Sequence, residues 1–362
     1  MLLQVPTGTG KAFIVSSAIH YERSRKSAQQ WYSGILFVAH RPEVKMQVSM
    51  MLSQYGLSHT VISNRNTGPY GYDSLTVVDV TTVLRFVSKV VHYYEPSMII
   101  IDEVHAVDSS LIDVLRRNYP DARLLGLSAT PCSESENPLG RVFGRMLPSW
   151  SMKRLIDEGW LRDVDVESIS GGTKNVELLW QAYKAYANGK KGIVFANDSH
   201  QARRIVDCYK RHGIKSEVIS FGDKEEEREW KLNEFDVGMT QVLVCVDFFS
   251  DGMRCPDVDF VQLANNTDSL NTYLHQVGCA MHPCNDEEYG GDGSTLELRR
   301  LAVLDHAGLS EKFGLPTDER DWTQLFTGES KKKANRKGVT RKKTVKVVEP
   351  QPAEYTKWQL RM

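Results

Sequence analysis

The chain has no run of apolar residues approaching the roughly 20 needed to span a bilayer. Its first five residues, Met-Leu-Leu-Gln-Val, carry neither a basic segment nor a small-residue cleavage site. On these absences neither a membrane-spanning helix nor a secretory leader is expected, and the expectation is an intracellular, cytoplasmic protein with no membrane partner. Cysteine is sparse, at positions 132, 208, 245, 255, 279 and 284, and none forms a Cys-x-x-Cys pair. Free buried thiols fit this pattern better than disulfides or a zinc ribbon. Net charge is almost absent, −1 from 45 basic and 46 acidic residues, but the balance is uneven. Residues 331–346 hold nine Lys or Arg and no acid, which leaves −10 on the rest of the chain. Such a block repels itself and cannot build a core, so residues 327–362 are expected to form a disordered basic tail. Two readings of it stay open: an arm that neutralises nucleic-acid phosphates, or a solvated or targeting tail.

What the chain does have is alternation. Short β-branched runs at 34–40, 75–80, 97–103 and 122–130 are interleaved with amphipathic stretches, and the rhythm resumes at 191–197, 215–220, 240–247, 258–264 and 300–305. Continuous apolar runs of this length are the pattern of strands buried on both faces of a parallel sheet. The expected fold class is α/β, two domains with parallel sheets, over 1–168 and 169–326. The Pro-, Gly- and Ser-rich stretch 131–150 reads as a loop or excursion after the first sheet, and "SISGGTKN" at 168–175 as the better candidate for the linker. There is no repeat of short period.

Pro6-Thr7-Gly8-Thr9-Gly10-Lys11-Ala12 follows an apolar strand and precedes a helical pattern. A turn of this kind points successive backbone N–H groups and a helix N-terminus at one spot, where phosphate binds, and Lys11 adds a point charge. A standard phosphate loop has Gly where Val5 stands and Ser or Thr where Ala12 stands. Taken alone, a Gly-rich turn is more often only a turn. The second signal is "MIIIDEVH" (98–105), an apolar strand ending in Asp102 and Glu103. Asp102 can hold Mg²⁺, and Glu103 can orient and deprotonate an attacking water. An acidic pair closing a strand is by itself mostly a solvated edge, but one that follows a phosphate loop is more specific.

In this order and spacing, "PTGTGK", "DEVH" and "SAT" (128–130) resemble motifs I, II and III of the superfamily 2 helicases. The resemblance is strongest to the bacterial and phage group that includes restriction-enzyme motor subunits. It extends over roughly 1–326: 37–47 is similar to motif Ia, 80–86 to motif Ic, "KGIVFANDSHQA" to motif IV, 246–259 to motif V and 269–283 to motif VI. The resemblance implies two RecA-like P-loop domains with ATP between them, stepping along DNA or RNA. It assigns Pro6, Thr7, Gly8, Thr9, Gly10, Lys11, Ala12, Asp251 and Gly252 to nucleotide binding, and Asp102 to Mg²⁺. Lys11, Asp102, Glu103 and Gln276 would be catalytic. His105, Ser128 and Thr130 would couple the domains, and His40, Arg41, Thr81 and Thr82 would touch the nucleic-acid backbone. Without the motif order, a strand-end cap would be preferred for Ser128 and Thr130 and a surface histidine for His105.

Three departures bear on activity. Family motif VI reads Gln-x-x-Gly-Arg-x-x-Arg, whereas here Cys279 and His282 stand at the arginine positions. An arginine finger is worth on the order of 10³–10⁵ in rate, and neither side chain replaces a fixed guanidinium. Ala12 lacks the hydroxyl that ligates Mg²⁺ in this family, and Asp251-Gly252-Met253-Arg254 departs from the usual Glu-Gly-x-Asp. Only five residues precede Pro6, leaving no room for the family's adenine-recognition segment. The resulting expectation is a truncated, decaying or repurposed helicase that binds nucleotide better than it hydrolyses it. A further subunit or a lost N-terminal domain fits the same picture.

Overall fold

The computed structural model describes residues 1–24, 34–62, 75–92, 94–132, 138–249, 255–283, 299–328 and 346–347. By packing, the chain forms two units: Met1–Pro6, Gly10–Trp150 and the segment from Asp321 in one, Thr7–Thr9 and Ser151–Arg320 in the other.

The first unit runs β1 (Leu2–Gln4), α1 (Lys11–Ser24), β2 (Ile35–Ala39), α2 (Pro42–Gln54), β3 (His59–Val61), β4 (Leu75–Asp79), α3 (Val83–Val90), β5 (Met98–Ile101), α4 (Ser109–Asn118), β6 (Arg123–Ser128), α5 (Leu139–Val142) and β7 (Arg145–Leu147). Its strands lie in the order β7-β1-β6-β5-β2-β4-β3, all parallel, with Lys346–Val347 paired outside β7. Every residue of β2, β4 and β5 is buried, because helices cover both sheet faces. α3 buries Val83, Phe86, Val87 and Val90, the single apolar stripe of an amphipathic helix. Asp108 starts α4 by accepting from the Ser110 N–H at 2.7 Å.

The second unit runs α6 (Met152–Asp157), β8 (Val164–Ser168), α7 (Val176–Tyr186), β9 (Gly192–Ala196), α8 (Ser199–Arg211), β10 (Ser216–Ser220), α9 (Glu225–Asp236), β11 (Val242–Val246), β12 (Phe260–Ala264), α10 (Leu270–Gly278), β13 (Leu301–Asp305) and α11 (Leu309–Phe313). The strand order is β10-β11-β9-β12-β13-β8, again all parallel. Asn175, Asp198 and Ser269 cap α7, α8 and α10 through their side-chain oxygens. The chain then returns to the first unit with α12 (Trp322–Thr327), whose Phe326 is fully buried in that unit's core.

The two-domain parallel α/β class is as the sequence implies, but the borders fall elsewhere. The stretch 131–150, expected as a loop or excursion, contains α5 and β7, and β7 pairs with β1. The first border lies at Trp150–Ser151 and not at 168, because Val164–Ser168 is a strand paired with β13. The expected linker therefore lies inside the second unit. Among the described cysteines all are free thiols, and Cys208, Cys245, Cys255 and Cys279 are buried. No described helix is long and apolar enough to cross a membrane. Apart from Lys346–Val347, the basic block at 331–346 lies outside the described residues.

Candidate functional site

Register places the ends of the first unit's strands along one edge. Gln4 is opposite Ser128, Gly126 opposite Ile101, Ile101 opposite Val38, and Ala39 opposite Asp79. Each motif of this half follows one of these ends, and in open α/β sheets ligands bind in the crevice beyond the carboxyl ends of the strands.

The phosphate-loop candidates leave β1 at this edge. Gly8 and Gly10 adopt φ of +87° and +81°, left-handed values that glycine takes without a Cβ penalty. A Cβ built on Gly10 would meet nothing within 4 Å, so the backbone there is open to an approaching group. α1 starts at Lys11, with the Phe13 N–H donating to the Gly10 carbonyl at 2.9 Å. The turn delivers Lys11 to the acidic pair: its Nζ donates to Asp102 Oδ1 at 3.4 Å and to Glu103 Oε1. Burial opposes the lysine charge, but the two carboxylates outweigh it and raise the pKa above that of an ordinary lysine.

Asp102 Oδ1 also accepts from the Glu103 N–H at 3.0 Å. Glu103 is fully buried and sits at φ +42°, an unusual conformation for a residue with a Cβ, found where surrounding structure over-determines the backbone. His105 is buried and not a surface histidine, and its Nδ1 lies 2.9 Å from Ser128 Oγ and 3.5 Å from Glu103 Oε2. Ser128 Oγ in turn accepts from the Thr130 N–H at 3.1 Å, so "DEVH" and "SAT" form one connected group. Gln4, which the motif reading passed over, ties the group down. Its Nε2 donates to the Ala129 carbonyl and its Oε1 accepts from Ser149 N and Oγ, each at 3.1 Å.

Among the expected nucleic-acid residues, His40 and Thr82 are buried, Arg41 precedes α2 and is partly buried, and Thr81 is exposed. Asp79 organises the turn after β4. Its Oδ1 accepts from the backbone N–H groups of Thr81 and Thr82 at 2.9 and 3.0 Å and from Thr81 Oγ1 at 2.5 Å. Its Oδ2 accepts from Lys45 Nζ at 2.5 Å. Burial would raise the Asp79 pKa, but the bonds from Lys45, Thr81 and Thr82 prevail and hold it below the usual carboxylate range. The Thr82 hydroxyl bonds back to the Asp79 carbonyl at 3.2 Å, so it builds the turn. Lys45 lies within the motif Ia-like string and Asp79 just ahead of the motif Ic-like one, but neither is assigned a role by the motifs. Their pairing needs the fold to bring α2 against β4.

In the second unit, Gln276 lies on α10 with Oε1 buried and without a hydrogen-bond partner among the described residues. Buried polar atoms are normally paired, and one left unpaired marks a place for a water, ion or ligand. Cys279 is buried and its Sγ donates to the Gln276 carbonyl at 3.3 Å. His282 is held at both ring nitrogens, by the Cys279 carbonyl at 2.8 Å and by Asp257 Oδ1 at 3.0 Å. Asp251, Gly252 and Arg254 lie outside the described residues, but just before them Asp247 and Phe249 take φ of +54° and +58°. Arg162, unflagged by any motif, is fully buried and donates to the carbonyls of Val258 and Ala280.

A family model described as the type III restriction enzyme res subunit matches residues 1–133, and one described as the helicase conserved C-terminal domain matches residues 174–282. The chain belongs to the superfamily 2 helicases. This helicase-family chain is 23% identical over 364 residues to a 51.5 kDa protein of a Lactococcus phage, covering 94% of this chain and 73% of that one. To the mouse ATP-dependent DNA helicase Q1 it is 23% identical over 248 residues, 62% of this chain but only 37% of the mouse protein. Among solved structures, a fragment assigned to an HsdR subunit of a type I restriction enzyme from Vibrio vulnificus aligns with TM-score 0.65 and 18% identity, covering 88% of this chain and 63% of that one. Saccharomyces cerevisiae Dbp5 bound to RNA and ADP BeF3 aligns with TM-score 0.61 and 14% identity, covering 91% and 88%. At these identities the structural likenesses establish the fold: two RecA-like helicase domains.

Proposed function

We propose that this chain is an ATP- and Mg²⁺-binding helicase or translocase that acts on DNA or RNA inside the cell, with hydrolysis slowed by its altered motif VI. The observation that carries the nucleotide part is Lys11 held by Asp102 and Glu103 beside the open, left-handed Gly10. A cation, a bare backbone turn and two carboxylates at one sheet edge are the donor set that a magnesium nucleotide requires. When bound, the nucleotide supplies the phosphoryl group to be transferred and the metal neutralises charge on its oxygens. The turn from Pro6 to Gly10 and the α1 N-terminus would hold phosphates, and Lys11 would exchange its carboxylate partners for them. Asp102 would hold the metal, and Glu103 would orient a water and take its proton. His105, Ser128 and Thr130 would couple this site to the second unit, and Gln276 would be a catalytic residue of that unit. His40, Arg41 and Thr81 would lie along the nucleic-acid backbone, with Thr82 building their turn. Further subunits or an upstream domain would complete the working assembly.

Slowed hydrolysis rests on motif VI. With Cys279 buried and His282 held by Asp257, neither arginine position offers a guanidinium to spread charge on the γ-phosphate. The same observation favours a second reading, a nucleotide- and nucleic-acid-binding protein that hardly turns over. ATPase rates with and without DNA or RNA, on the native chain and on Ala12→Thr/Cys279→Arg/His282→Arg, separate the readings. The restored chain is expected to gain about 10³-fold or more, with nucleotide affinity within a few-fold of native. Equal rates in the two chains would refute the motif VI argument. No measurable rate in the native chain would favour the binder.

A further inference from the structure

Away from the nucleotide edge, the second unit gathers three different metal-ligating side chains at the ends of two helices. Glu177 lies in the first turn of α7, Cys208 in the last part of α8, and His212 at the α8 C-cap. Cys208 and His212 are four residues apart, so α8 presents them on one face, toward Glu177. His212 Nε2 lies 2.9 Å from Glu177 Oε1, and Cys208 Sγ donates to Glu177 Oε2 at 3.4 Å. One sulfur, one nitrogen and one carboxylate oxygen thus lie within 4.8 Å of one another. We propose that Glu177, Cys208 and His212 form a zinc(II) site that fastens α7 to α8, with a water as fourth ligand.

The donor chemistry favours this metal. Thiolate, imidazole and carboxylate are the ligands zinc takes, at about 2.3 Å for sulfur and 2.0–2.2 Å for nitrogen and oxygen, so tetrahedral ligand atoms stand roughly 3.3–3.7 Å apart. The observed cluster needs only side-chain adjustment to reach that spacing. Charge closes as well: a thiolate and a carboxylate neutralise Zn²⁺, the Cys208 proton leaves to solvent, and nothing is oxidised or reduced. An ordinary ion pair accounts for Glu177 with His212, but not for a buried thiol that reaches the other oxygen of the same carboxylate at 3.4 Å as well as the Val176 carbonyl at 3.6 Å. The histidine is also fixed in orientation. Trp180 stacks on its ring with centroids 3.6 Å apart and planes 16° apart, which fixes the plane of the imidazole. Half-exposed Glu177 and His212 side chains leave a route for the metal and its water, while the thiol is sheltered below. Arg211, whose Nε donates to the Asp207 carbonyl, also brings its guanidinium to Cys208 and near Glu177, where its charge favours the thiolate and carboxylate forms that a metal requires.

The test uses the full chain. Calorimetric titration with Zn²⁺ is expected to show one equivalent bound per chain, and titration with Cd²⁺ to produce a thiolate-to-metal ultraviolet band. Glu177→Gln and His212→Gln should each weaken zinc binding by about tenfold or more, and Cys208→Ser should abolish the cadmium band although the five other cysteines remain. If Cys208→Ser fails to fold, the two partly exposed variants carry the test alone. Zinc affinity weaker than about 0.1 mM, or binding unchanged in Glu177→Gln and His212→Gln, overturns the proposal.

Discussion

Lys11→Met tests the arrangement at its centre. In the native chain Lys11 Nζ sits 3.4 Å from Asp102 Oδ1 and in contact with Glu103 Oε1, and the Glu103 side chain is 1% exposed. Removing the ammonium leaves two adjacent carboxylates facing each other with one of them out of reach of water. Deleting one partner of a buried ion pair costs about 3–5 kcal/mol. Because the Lys11 side chain is itself 19% exposed, the lower end, about 3 kcal/mol, is expected. The companion Glu103→Gln removes the like charge, so the double variant should recover about 2 kcal/mol of that loss, appearing as a coupling energy in the cycle. The assay is urea unfolding in chelator, with the loss read from whichever transition Lys11→Met moves, since two units can unfold separately. Nucleotide affinity, measured in parallel, should fall in Lys11→Met. A Lys11→Met stability within about 0.5 kcal/mol of native, or strictly additive single effects, would refute the reasoning.

Two further predictions follow from other parts of the chain. His306 is buried against Gln262, whose Nε2 lies 2.8 Å from its Nε2, and burial lowers its pKa to about 4 despite the neighbouring Asp305. The unfolded chain, with histidine near 6.5, binds the extra proton first, so stability is full above about pH 6.5 and declines by about 3 kcal/mol as the pH falls toward 4. In urea melts between pH 7.5 and 4.5, His306→Gln should flatten this dependence, and an identical pH profile in the two chains would count against it. Removing residues 331–346 should weaken nucleic-acid binding and make its log–log salt slope shallower by about 0.9 for each phosphate of duplex DNA that the tail had neutralised. An unchanged slope would leave the tail as a solvated segment.

The central strands were legible because strands covered on both faces read as unbroken apolar runs: "ILFVA", "MIII" and "VLVCV" need no context. The strands the sequence concealed sit toward sheet edges and carry polar residues. β3 is His-Thr-Val, β7 Arg-Met-Leu and β8 Val-Asp-Val-Glu-Ser, none of them buried along its whole length. Short, half-solvated segments have no period to distinguish them from loops. The domain border was misjudged for the same reason, since β8 was not seen as a strand and the chain's return through α12 depends on Phe326 finding the first core.

By itself the sequence determined the kind of site: a glycine turn with a lysine, an acidic pair at a strand end, and motif VI without its arginines, each a local string. Which side chains face one another was decided only in the folded chain. Lys11 meets Asp102 and Glu103 across 91 and 92 residues, and His105 meets Ser128 across 23. The folded chain also turned the Thr82 hydroxyl inward to Asp79 and aimed Glu177 at Cys208 and His212. The physical reason is that a string of residues sets backbone preference and apolar period. Hydrogen-bond partners and charge environment depend on strand register and on burial, and these exist only once the sheets are assembled.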